Sequence, residues 1–126
     1  MPHKILVVDD EPYMHRLMQH HLGRAGYVLV RANNGREAIE LAVRENPHLI
    51  VMDVMMAEVD GLTALKTLKQ DDATKHIPVI MVTASAHHIT REDSESSGAA
   101  LFLTKPFSPT RLLMEIRQLV GETVGA

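Results

Sequence analysis

Short apolar runs alternate along the chain with stretches in which apolar residues recur every three or four positions. The runs lie at residues 5–8, 27–32, 49–53, 79–82 and 101–103, and they are brief and rich in β-branched residues, so they read as strands. Their apolar continuity predicts cover on both faces, as in a parallel sheet. Pro12 sits at the first turn of a helix, where its missing N–H costs nothing. Met14, Leu17, Met18, Leu22 and Ala25 mark the buried face of that helix, with Gln19, His20 and Arg24 off it, and Gly26 stops it. Asn33, Asn34 and Gly35 make a turn, and Asn34 with Glu37 resembles a capping box for a second helix with Ile39, Ala42 and Val43 inward.

Pro47 separates that helix from the third run. Asp60 and Gly61 make a turn and the start of a third helix, with Leu62, Leu65 and Leu68 inward. Pro78 opens the fourth strand. A fourth helix over residues 86–97 has Ile89 as nearly its only large apolar residue, so it is expected to be short or mobile. Ser108 caps and Pro109 begins a last helix, with Leu112, Leu113, Ile116, Leu119 and Val120 on one face. Five strands alternating with five helices predict an α/β fold, a doubly wound parallel sheet with right-handed crossovers. Residues 1–121 are expected to form one domain and residues 122–126 a short frayed tail.

Composition narrows the function classes. The 126 residues suit one domain, and a net charge of −3 advertises neither a nucleic-acid nor a membrane surface. The absence of cysteine excludes disulfides, thiol nucleophiles and cysteine-based zinc sites. The first residues, which meet acid directly after one strand, do not read as a signal peptide. No apolar run approaches the ~20 residues of a membrane span, so neither membrane insertion nor direct nucleic-acid binding is expected, and the expected compartment is the cytoplasm.

The ends of the runs carry the chemistry. Asp9 and Asp10 close the first, Asp53 the third, Thr83 the fourth and Lys105 the fifth. A parallel sheet gathers all of these on its carboxyl edge, where open α/β sheets bind ligands. Strands lie ~4.8 Å apart, so if the third strand is central the Asp pair and Thr83 each lie one strand from Asp53. Lys105 lies two strands away, within reach of its long stem. Two carboxylates ~4 Å apart at an effective dielectric of ~20 repel by roughly 4 kcal/mol. Three acids on one edge therefore call for a cation, and hard oxygen ligands with room for water and phosphate suit Mg²⁺. Asp53 offers a nucleophilic oxygen that is already ionised, and Lys105 a second positive charge for a phosphoryl group.

The segments VVDDE, DVMM…DG, VTAS and LTKPF, in that order and at these spacings, resemble the receiver domain of two-component response regulators, the chemotaxis regulator among them, over about residues 3–120. The resemblance implies a flavodoxin-like fold with strand order 2-1-3-4-5. It implies that Asp53 is phosphorylated by a sensor histidine kinase or a histidine phosphotransfer protein. Asp10 and Asp53 would bind Mg²⁺ directly, Asp9 through water, and Met55 through its backbone carbonyl. Lys105 would pair with the phosphate, across a cis bond to Pro106. Thr83 would swing to the phosphate and Phe102 rotate inward behind it, repacking a surface made by the fourth helix, fifth strand and last helix for an unknown output partner. Such a domain is a switch, not a turnover enzyme, and is a monomer or a phosphorylation-dependent dimer.

The sequence also departs from the pattern. Ala57 stands where members commonly have proline, which implies a looser loop over the site. Ala100 and Leu101 stand where acid is common, and the fourth helix lacks its usual apolar stripe.

Other readings are weaker. A Mg²⁺-dependent aspartyl-phosphate phosphatase or phosphotransferase would carry a second acid two residues after the nucleophile, where this chain has Met55. A nucleotide-binding domain would carry a glycine-rich turn after the first strand, where this chain has Asp9, Asp10 and Glu11. The eight histidines, chiefly the adjacent pairs His20–His21 and His87–His88, read as solvated surface, because neighbours in sequence do not share a helix face. Met55 and Met56 are candidates for a partner surface.

Overall fold

A computed structural model describes residues 3–56, 59–84 and 98–121. Its strands are β1 (Lys4–Val8), β2 (Val28–Ala32), β3 (Leu49–Asp53), β4 (Val79–Thr83) and β5 (Leu101–Thr104). They form one sheet in the order β2-β1-β3-β4-β5, and every pairing is parallel. Among the described residues the helices are α1 (Pro12–Met18), α2 (Gly35–Glu45), α3 (Gly61–Gln70) and α4 (Pro109–Val120). The segment expected to hold a further helix, residues 86–97, lies outside the described residues, as does the expected tail at 122–126.

Side chains alternate across each strand, and both faces are covered. Ile5, Val7, Leu49, Val51, Ile80 and Val82 pack against Met14, Met18 and Leu22 of the first helical segment and Leu112 and Ile116 of α4. Leu6, Val8, Ile50, Met52, Val79 and Met81 pack against Ala38 and Ala42 of α2 and Ala64, Leu65 and Leu68 of α3. That double burial is why the strands read as uninterrupted apolar runs. Two predicted inward residues face out instead: Val43 is 51% exposed and Leu119 40% exposed. On α2 the small residues Ala38 and Ala42 make the buried seam, with Ile39 and Leu41 at its margin.

The helix starts follow their capping chemistry. Asn34 accepts from the Glu37 N–H at 2.9 Å, while the Glu37 carboxylate reaches back to the Asn33 N–H, one residue earlier than a standard capping box. Asp60 caps α3 through the Thr63 N–H at 2.8 Å, and Ser108 caps α4 through the Arg111 N–H. The first helix does not run to Gly26 as a regular α-helix. It widens after Met18 into a π-helical turn, Gln19–Gly23, and Gly26 then takes φ 98° in the turn to β2. Among the described residues no helix is long and apolar enough to cross a membrane.

Candidate functional site at the carboxyl edge of the sheet

The strand register decides which polar ends meet. Val8 lies opposite Met52, so the next residues, Asp9 and Asp53, are neighbours across β1 and β3. Asp53 lies opposite Val82, one residue before Thr83, and Thr83 lies opposite Thr104, one residue before Lys105. Lys105 Nζ sits 3.0 Å from Asp53 Oδ2 and 3.2 Å from Asp9 Oδ2, so its stem crosses the sheet further than the two strands expected. Asp9 is 2% and Asp53 6% exposed, Thr83 is buried, and Asp10 faces solvent. Asp9, Asp10 and Asp53 each offer an oxygen within 4.8 Å of the others.

Each buried aspartate divides its carboxylate in the same way. Asp9 Oδ1 accepts the Glu11 N–H at 2.9 Å, and Asp53 Oδ1 accepts the Met55 N–H at 3.1 Å. The other oxygen of each turns to Lys105. These two-residue loops are a common local bond for aspartate, and they fix the carboxylate planes. Burial pushes the Asp53 carboxyl above its ordinary pKa, against the pull of Lys105 and the Met55 N–H, and the Asp9 charge pushes the same way. Burial works against the Lys105 ammonium, but its bonds and charge contacts with Asp53 and Asp9 outweigh that and hold its pKa above the ordinary value. Three carboxylates against one ammonium leave an excess of two negative charges, the charge of one divalent cation. The donor set, all hard oxygens on an edge open to solvent, fits such an ion.

Other predicted residues fall where the register carries them. The Lys105–Pro106 bond is cis, and the Lys105 N–H donates to the Thr83 carbonyl at 2.7 Å. Phe102 is half-buried opposite Met81, on the same sheet face as Thr83 two residues along β4. The Met55 side chain is 58% exposed and, with Met56, Asp60 and Leu62, borders a hollow of about 340 Å³ beside the site. Ala57 lies outside the described residues.

Two features escaped the sequence. A Cβ at Gly61 would collide with the Asp53 carbonyl, while the Gly61 N–H bonds the Val54 carbonyl at 2.9 Å. The turn and helix start at this glycine were legible, but not the contact. His15 is the other: it is 7% exposed, so the solvated reading of the histidines fails there, and its Nε2 lies 2.8 Å from the Asp9 carbonyl oxygen.

Comparison with known proteins agrees with this geometry. Residues 5–117 match the response regulator receiver domain family. The chain is 37% identical over 122 residues to the polar-differentiation response regulator DivK of Brucella anthropi, covering 97% of this chain and 99% of that one. It is 36% identical to the transcriptional regulatory protein SrrA of Staphylococcus aureus, but spans only 50% of that protein's length. Among solved structures, the receiver domain of a Pseudomonas aeruginosa sensor histidine kinase, with a magnesium ion coordinated in its active-site cleft, superposes with a TM-score of 0.87 at 26% identity, covering 97% of this chain and 100% of that one. A chemotaxis protein of Vibrio cholerae gives 0.84 at 30% identity, covering 94% and 99%. Sheet order, gathered acids, bridging lysine and family match lead to one assignment: the chain belongs to the response regulator receiver domain family.

Proposed function

We propose that this receiver is a phosphorylation-dependent signalling switch with Asp53 as the phosphoacceptor. The observation that carries the reading is Lys105 held at 3.0 Å from Asp53 and 3.2 Å from Asp9, in a group of acids that one lysine does not neutralise. An Asp53 carboxylate oxygen attacks the phosphorus of a phosphohistidine on a sensor kinase or histidine phosphotransfer protein. The phosphorus–nitrogen bond breaks, and its electron pair leaves with the imidazole. No separate base is needed, because a carboxylate oxygen attacks without a proton having to be removed from it.

Asp10 and Asp53 would hold Mg²⁺ directly, Asp9 through water, and Met55 through its carbonyl. When bound, the ion supplies the positive charge that screens phosphoryl oxygens from the acids. Lys105 then turns from the carboxylates to the phosphoryl group, and the Thr83 hydroxyl donates to it. Phe102, on the same sheet face, follows Thr83 and changes the surface around β5 and α4 that meets an output partner. The protein works in the cytoplasm as a monomer or as a dimer formed on phosphorylation.

The test is incubation with acetyl phosphate and Mg²⁺ followed by intact-mass measurement. The parent gains one phosphoryl group and Asp53→Asn gains none. Equal labelling of the variant overturns the reading, as does labelling that persists undiminished when Mg²⁺ is chelated.

A further inference from the structure

Four bonds converge on Asp9. Its N–H donates to the Ala32 carbonyl at 3.1 Å, and its two carboxylate oxygens accept from Glu11 and Lys105. The fourth bond is to its own carbonyl, from His15 Nε2 at 2.8 Å. That carbonyl lies in a gap between two ladders. β1 ends at Val8, and the helix that follows is capped by Glu11. A buried backbone carbonyl needs a donor, and the His15 ring, one turn into α1, provides it. A carbonyl only accepts, so Nε2 carries the proton.

We propose that His15 is a positioning residue for the divalent-cation site. By holding the Asp9 carbonyl it fixes the peptide plane that joins Asp9 to Asp10. That plane aims Asp10, whose side chain makes no hydrogen bond or ion pair among the described residues. Asp9 has two side-chain tethers; Asp10 has only the backbone to direct it. Removing the His15 bond lets the peptide rotate and Asp10 swing away from the oxygens of Asp9 and Asp53. This inference rests on the proposed function, since it assumes that these acids hold Mg²⁺.

Calorimetric titration with Mg²⁺ compares the parent with His15→Leu and His15→Gln. Partners of metal ligands typically contribute tenfold or more to affinity, so the Leu variant is expected to bind about tenfold more weakly. The Gln side-chain amide reaches the same carbonyl, and its binding is expected to stay near that of the parent. Long-range ¹⁵N–¹H spectra of the metal-free parent are expected to show the His15 proton on Nε2. Equal Mg²⁺ affinity in parent and Leu variant overturns the inference, as do equal losses in Leu and Gln, or a proton on Nδ1. If the Leu variant does not fold, His15→Asn, too short to reach the carbonyl, takes its place. A parent that binds no Mg²⁺ overturns the proposed function and this inference with it. A parent that binds while the variants match it overturns this inference alone.

Discussion

At the amino end of the sheet, Lys4 of β1 meets Glu45 at the end of α2 at 3.3 Å, with each side chain 33% exposed. At the carboxyl end, Lys105 meets Asp53 and Asp9 at similar distances, but those carboxylates are almost wholly buried. The first pair is balanced and wet, and exposed pairs of that kind contribute about 0–1 kcal/mol. The second group is unbalanced and its two lysine-paired carboxylates are buried, an arrangement that costs a fold stability unless something binds to correct it. The same side-chain chemistry thus serves as an ordinary surface tie at one end and as an acceptor for charge at the other. Burial and the excess of acid make the difference.

The sharpest way to break this comparison is to remove the buried ammonium. Lys105→Ala leaves both carboxylates without their cation and is expected to lower stability at pH 7 by about 3 kcal/mol, read from urea unfolding. A loss no larger than that at Lys4 would erase the distinction between the two ends. Next in size is Asp53→Asn. The folded state holds the Asp53 proton more tightly than the unfolded chain, because burial raises its pKa. Stability from that group is therefore full below the unfolded carboxylate pKa and is lost as pH rises through the folded one. Asp53→Asn should raise the urea midpoint at pH 7, and the gain should vanish near pH 4. An unchanged or lower midpoint at pH 7 would count against burial destabilising the Asp53 carboxylate.

The amino end supplies the smaller effects. Burial, followed by the nearby His3, lowers the pKa of His48, whose Nδ1 accepts the Lys4 N–H. The unfolded chain binds that proton more readily, so this contribution is present above about pH 6.5 and is lost as pH falls below it. His48→Gln, whose amide oxygen can accept the same N–H, should flatten that slope in thermal melts between pH 7 and pH 5. Smallest is Glu45→Gln, expected to change stability by less than about 1 kcal/mol and to matter less still in high salt. A larger change there would mean that the amino end is not the ordinary surface it resembles.

Much of the site was legible because charge at the end of an apolar run has one sensible place to go. Asp9, Asp53, Thr83 and Lys105 close four of the five strands, and a parallel sheet brings such ends together without any knowledge of contacts. Caps at Asn34 and Ser108 were legible for a similar reason: their bonds span three residues, whereas at Asp60 only the turn and helix start were read, not the cap. Reading helix faces by apolar character alone did less well. It placed Val43 and Leu119 inward, whereas α2 is seated by alanines that let it approach the sheet closely. The π-helical turn left no pattern that periodicity could register. His15 was hidden because its partner is a backbone carbonyl left between two ladders, and such a gap exists only once strand and helix ends are known.

The contact between Gly61 and the Asp53 carbonyl limits what the chain can become. A single methyl there would have to displace the backbone of Asp53, the proposed phosphoacceptor. In a saturation library scored for phosphoryl uptake, position 61 should tolerate nothing but the native residue, although it bears no side chain. Substitution tolerance there would track the space beside the Asp53 backbone rather than the chemistry of any side chain.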